Sequence, residues 1–188
     1  MPALAEAPTL YPETLLEELE PEAAGEDRAW WVFYTRARQE KALARELFGR
    51  RIPFYLPLVR KTKVYRGGRR ASTHVPVFTS YVFMYGSEDE RVWSLTTNRI
   101  SRVLGVADAE RLRWDLGQLR RLIASGAPLT VESRLAPGHR VRIRRGPLAG
   151  LEGTVLTRRG EARLLVSVDF LQQGASVAIE DYMLEPMD

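Results

Sequence analysis

The 188-residue chain has no cysteine and only two histidines. The first absence excludes disulfides, thiolate-bound metals and cysteine nucleophiles, and it suits a reducing compartment. A zinc site lacks donors, because His74 and His139 are not spaced as a ligand pair. His74 reads as a solvated hairpin residue and His139 as the start of a strand. Long apolar runs are missing too. None approaches the roughly 18 residues of a spanning helix, and no basic patch followed by an apolar stretch opens the chain. No membrane association and no secretory signal are expected, and the expected location is the cytoplasm. Nucleophile-elbow and phosphate-cradling glycine motifs are also absent. The clustered acids Glu88, Asp89 and Glu90 suit the first turn of a helix, where carboxylates oppose the helix dipole. No enzyme, no metal and no cofactor are expected.

What is present is charge, unevenly spread. The first 28 residues hold eight acidic residues against one basic, whereas the remainder holds 27 basic against 16 acidic. Residues 36–70 alone carry twelve Lys/Arg and two Glu. Such a density attracts polyanions, of which nucleic acid is the commonest. The competing reading is a solvated surface.

Residues 1–28 are rich in Ala, Glu and Pro and read as a flexible acidic tail, in which Thr14 to Glu20 suits at most a short helical turn. Trp30 to Thr35 is aromatic and β-branched, as in a strand. Ala37 to Arg50 spaces Ala42, Leu43, Leu47 and Phe48 as an amphipathic helix, which Gly49 and Pro53 end. Phe54 to Tyr65 is extended, and Gly67-Gly68 marks a hairpin into Arg69 to His74. Val75 to Met84 reads as one apolar strand, Glu88 to Leu95 as a helix capped by Ser87, Ser101 to Val106 as a strand and Trp114 to Ala124 as a helix. The hairpins and helices predict an α+β domain at 29–127, an antiparallel sheet flanked by helices. A linker follows at 128–136. Short alternating strands with frequent turns then predict a small β-barrel domain at 137–188. Tyr34, Phe78, Tyr81 and Phe83 lie on two strands of the first sheet. They are either core or an exposed apolar patch beside a basic strip. Residues 78 and 81 have opposite parity, so a bulge intervenes or they face different sides.

Several of these segments resemble the NusG-type transcription elongation factors. Trp30-Trp31-Val32 with Gln39-Glu40, Pro76 to Phe83, and Arg102-Val103-Leu104-Gly105 resemble the N-terminal NGN domain. Pro137 to Ile143 followed by Gly146 to Val155 resembles the KOW motif, an SH3-like barrel. The resemblance implies a monomeric elongation or antitermination factor. It would dock on the clamp helices of RNA polymerase, bridge the cleft over the DNA and suppress pausing or termination. By position, docking would use Tyr34, Phe78, Tyr81 and Phe83, and Ser94, Leu95 and Thr96 would meet the opposite jaw. Arg36, Arg38, Lys41, Arg45, Arg50, Arg99 and Arg102 would lie near non-template or upstream DNA. Phe170, Leu171 and Gln172 fall in the loop through which family barrels contact a small-subunit ribosomal protein or the termination factor Rho.

Two departures bear on the type of factor. Thr79-Ser80 replaces a usual Pro-Gly, and Leu171-Gln172 replaces a usual Phe-Gly-containing loop. Both look more like the specialised paralogues of the RfaH or UpxY kind, which act on selected operons, and they put Rho binding in doubt. Some paralogues refold the second domain as a helical hairpin. Its glycines and Pro147 oppose that here, since Gly and Pro cost about 1 and 3 kcal/mol in helix interiors. A barrel is expected, with any switch confined to Glu161 to Asp181. The alternative reading is a ribosome- or RNA-binding KOW protein without polymerase contact.

Overall fold

The computed structural model describes residues 6–17, 27–134, 138–179 and 184–187. The chain divides into two compact units, Met1–Ala109 and Glu110–Asp188.

In the first unit, strands β1 (Leu10–Tyr11), β2 (Arg28–Thr35), β3 (Phe54–Tyr55), β6 (Tyr81–Ser87) and β7 (Ile100–Gly105) form an antiparallel sheet in the order β1-β3-β6-β2-β7. Strands β4 (Leu58–Val64) and β5 (Arg70–Pro76) form a separate two-stranded ribbon. The helices are α1 (Glu40–Gly49) and α2 (Glu88–Thr96). Strand periodicity sorts the side chains by face. Phe33, Val82, Met84 and Phe54 join Leu43, Ala44 and Leu47 of α1 in one buried cluster. Full burial of each Leu contributes about 1.5–3 kcal/mol. Helix α2 starts with a complete capping box, in which Ser87 and Glu90 each accept from the other's backbone N–H.

Two expectations change here. Residues 6–17 are docked rather than free as an acidic tail. Leu10 and Tyr11 pair with Tyr55 and Phe54, Thr9 bonds Leu56 in both directions, and Ala7, Leu15 and Leu16 are buried. A turn is described over 12–17, with Leu15 N donating to Pro12 O and Glu17 N to Thr14 O, and the rest of the segment expected to form a helical turn, 18–20, lies outside the described residues. Residues 18–26 and 1–5 lie outside the described residues. The apolar stretch 75–84 is not one strand. It breaks at 77–80, where Ser80 takes a left-handed φ of 69° and Val77 N donates to Pro57 O. That turn is why residues 78 and 81 need no common strand parity.

The second unit contains α3 (Ala109–Ala124) and strands β8 (Thr130–Glu132), β9 (Arg140–Ile143), β10 (Glu152–Arg158), β11 (Glu161–Val168), β12 (Gln173–Ala178) and β13 (Leu184–Pro186). The six strands are antiparallel in the order β13-β9-β10-β11-β12-β8. Gly153 is required at its place, because a Cβ there would collide with the Leu165 carbonyl. The two compact units divide after Ala109, the first residue of α3, and the helix begins there rather than at Trp114. Its polar side chains explain the grouping. Asp115 Oδ2 accepts from Asp169 N at 2.9 Å, Gln118 Oε1 from Glu152 N at 3.2 Å, and Arg121 donates to Ala149 O at 2.6 Å.

Part of the expected linker is a strand. Thr130, Val131 and Glu132 pair with Ser176, Ala175 and Gly174. Buried Arg163 donates to Ser176 and to Thr130 Oγ1, and Glu132 Oε1 accepts from Ser176 Oγ and Arg158. Residues 135–137, including Pro137 of the KOW-like motif, lie outside the described residues. The ladder is not a closed barrel among the described residues, because β8 occupies the edge of β12 that closure would use. Within 161–181 the backbone is β11, a single 3-10 turn at Asp169–Leu171 and β12, while residues 180 and 181 lie outside the described residues.

Candidate functional site

The face of the first sheet opposite the α1 cluster carries Val32 beside Phe83 and Tyr34 beside Tyr81. Tyr34 and Tyr81 are half-buried and meet edge-to-face at 5.2 Å between ring centroids. Arg102, directly opposite Tyr34 on β7, lays its guanidinium over that ring at 5.1 Å. The neighbouring pair is different. Phe78 and Phe83 are 1% and 0% exposed and pack on each other at 6.5 Å. The four aromatics therefore do not form one open patch. Tyr34 and Tyr81 present partial surface, while Phe78 and Phe83 are core.

The turn that carries Phe78 is pinned from two sides. Glu40, buried in the first turn of α1, accepts from Ser80 N at 2.7 Å, and Ser80 O accepts from Thr35 N at 2.7 Å. Glu40 thus takes an orphan donor of the turn, and its sequence signal was only its place in the Gln39-Glu40 pair. The left-handed φ of Ser80 accounts for the usual glycine at this place in the resemblance.

On α2, Ser94 is buried and donates to Glu90 O at 2.7 Å, so its hydroxyl is committed inside the helix. Leu95 is 41% exposed and Thr96 is exposed. Of the expected jaw-facing trio, only these two are at the surface.

The seven expected cations also divide. Arg36 and Arg38 are exposed, the latter at a left-handed φ of 61°. Lys41 is half-buried and Arg45 exposed on α1. Arg50 stacks on the Trp93 ring at 4.2 Å. Arg99 is bound down, donating to Glu46 Oε1 at 2.6 Å and Gln39 Oε1 at 2.5 Å. Arg36 N donates to Arg99 O at 2.8 Å, which brings the Arg99 and Arg36 backbones together at the end of β2.

One comparison with known families bears on this unit. Residues 28–113 match the NusG family model, described as transcription termination factor nusG. The NusG match starts with β2 and ends inside α3, so it takes in both aromatic strands, α1, α2 and all seven cations. It supports a NusG-type transcription factor. No curated protein matches the chain significantly.

In the second unit, the 3-10 turn places Phe170 at the surface with Leu171 half-buried, and Gln172 ends it at a left-handed φ of 52°. Gln172 Nε2 donates back to Asp169 O at 2.7 Å. The same turn is held by Asp115, whose carboxyl burial pushes above the usual range. Of the two histidines, His74 Nδ1 pairs with the Glu6 carboxylate, and His139 is exposed just before β9. No described helix is long and apolar enough to cross a membrane. One basic group escaped the residue-level reading. Arg60, Lys61, Lys63, Arg66, Arg69 and Arg70 of the β4–β5 ribbon are all exposed, and their signal was the charge count of 36–70.

Proposed function

We propose that this chain is a non-catalytic, monomeric, cytoplasmic transcription elongation or antitermination factor of the specialised paralogue type. It binds the clamp helices of RNA polymerase, bridges the cleft and suppresses pausing or termination on selected operons. The observation that carries the reading is the NusG match across β2 to β7. Tyr34 and Tyr81 form the accessible part of the docking face, with Leu95 and Thr96 toward the opposite jaw. Arg36, Arg38 and Arg102 add salt-dependent attraction to upstream or non-template DNA. No chemistry is needed for such a role. A ligand that binds the processive state of polymerase better than the paused one shifts the population toward it.

The second unit acts in this reading as a KOW domain. Exposed Phe170, with Leu171 and Gln172, is its contact with a small-subunit ribosomal protein, and the departures from the family loop argue against Rho. A second reading, an RNA- or ribosome-binding KOW protein without polymerase contact, is favoured by one observation, the burial of Phe78 and Phe83.

Capture of purified RNA polymerase by the full chain separates the two. Wild type is expected to retain polymerase, and Tyr34→Ala/Tyr81→Ala to lose it with an unchanged circular dichroism spectrum. No capture by folded wild type rejects the elongation-factor reading.

A further inference from the structure

The β4–β5 ribbon is not used by any surface above. Leu58–Pro76 contains six Lys/Arg and no acidic residue, and every residue from 60 to 73 is exposed. Among the described residues none of the six cations forms an ion pair. An apolar face would let a hairpin pack on its own domain; here packing ends at the base, where Leu58 is buried and Val59, Val75 and Pro76 are half-buried, and residues 60–73 have no such face. From these observations we infer that the ribbon is a DNA-binding arm that lies in the major groove of a B-form duplex.

The dimensions support this occupant. Seven paired rungs run from Leu58↔Pro76 to Val64↔Arg70. At about 3.4 Å per residue the arm reaches about 20 Å beyond its base. Two strands about 4.8 Å apart fit a major groove about 12 Å wide, whereas the deep, narrow major groove of A-form RNA does not admit side chains to its bases.

Pairing register also divides the chemistry between the two faces. Arg60, Thr62, Arg70 and Ser72 share one face, with the Thr62 and Ser72 hydroxyls 3.1 Å apart at its centre. Arg and hydroxyl groups are the donors that read base edges. Lys61 and Lys63 lie on the other face beside the small residues Ala71 and Thr73, as suits phosphate contact. Tyr65 and the Gly67-Gly68 turn form an exposed tip.

This assignment is independent of polymerase docking, and its test uses none. The full chain is titrated against a labelled DNA duplex of roughly two helical turns and against an RNA duplex of the same sequence. Anisotropy is read between about 50 and 200 mM salt. Two variants are compared, Arg60→Gln/Lys63→Gln/Arg66→Gln/Arg70→Gln and a shortened ribbon in which residues 63–71 are replaced by Asn-Gly, which keeps Thr62 opposite Ser72. Both are expected to lose at least about tenfold in DNA affinity. The glutamine variant should also lower the log–log salt slope by about 2, from Lys63 and Arg66 at about 0.9 per phosphate contact. Wild type should bind the RNA duplex more weakly, and there the variants should change little. Unchanged DNA affinity or slope in either folded variant overturns the arm. Equal losses on DNA and RNA duplexes overturn the groove assignment. Polymerase capture by the glutamine variant is scored separately, so failure of the arm and failure of the elongation-factor reading give different results.

Discussion

Arg99 offers a sharp test, because sequence position and local geometry give it different roles. By position it belongs with the DNA-facing cations. In the fold its guanidinium joins the end of α2 and the start of β7 to α1, through Glu46 and Gln39. The ion-pair side chains are about one-third exposed, 32% for Arg99 and 35% for Glu46. Buried hydrogen bonds to charged groups contribute about 1.5–3 kcal/mol and exposed pairs about 0.2–1, so this pair is placed near 1 kcal/mol. Loss of the Gln39 bond adds about 0.5–1. Arg99→Ala is therefore expected to destabilise by about 2 kcal/mol, or about 1 M in urea midpoint at an m-value near 2 kcal/mol/M. A cycle with Glu46→Ala should return about 1 kcal/mol of coupling. The salt slope of DNA binding should stay at the wild-type value in Arg99→Ala, whereas Arg36→Gln should lower it by up to about 0.9. An unchanged midpoint together with a slope lower by about 0.9 would refute the argument and return Arg99 to the DNA surface.

Ser80→Gly relieves a left-handed backbone that costs an L-residue about 1–2 kcal/mol; less the extra chain entropy of glycine, about 0.4–1, it should raise stability by about 0.5–1 kcal/mol in urea denaturation. Deleting residues 1–17 removes the buried Leu15 and Leu16 and strand β1; a loss of at least about 3 kcal/mol is expected, and an unchanged midpoint would show the segment to be unattached. Asp115 titrates high because it is buried, so its contribution is fully present below the ordinary carboxylate range and is lost as pH rises through the folded value. Asp115→Asn keeps an acceptor for Asp169 N, and its urea midpoint should decline less than that of wild type between about pH 4 and 7; parallel profiles would contradict this.

The elements with strong periodicity were legible. The β2 strand, α1, the Gly67-Gly68 hairpin and the Ser87 cap each announce themselves within a few neighbouring residues. The departures share a physical cause, which is stabilisation by partners distant in sequence. Leu10, Tyr11, Leu15 and Leu16 sit among acids and prolines, and only pairing with Phe54 and Tyr55 and tertiary burial make that segment ordered. The break at 77–80 depends on Glu40 and Thr35 reaching Ser80 from elsewhere in the chain. Residues 130–132 look like a connector until Ser176 and Arg163 supply partners. At the candidate site, sequence placed the aromatics together but did not distinguish Tyr34 and Tyr81, with polar tips and partial exposure, from Phe78 and Phe83, which have no polar atom to keep at the surface. Cation counting found the basic region without separating bound Arg99 from unpaired ribbon residues.

Strand β8 has a practical consequence for solubility. A sheet edge exposes a row of unpaired N–H and C=O groups that any other extended chain can extend. Here three residues before the second set of turns cover that row on β12, and Thr130 and Glu132 also answer the polar groups of Arg163 and Ser176 at the same edge. A fragment cut to begin at the KOW-like motif leaves the row bare and removes partners of a buried guanidinium. It should exchange strands or precipitate at concentrations where the intact chain stays dispersed, and a cut before residue 130 should prevent it.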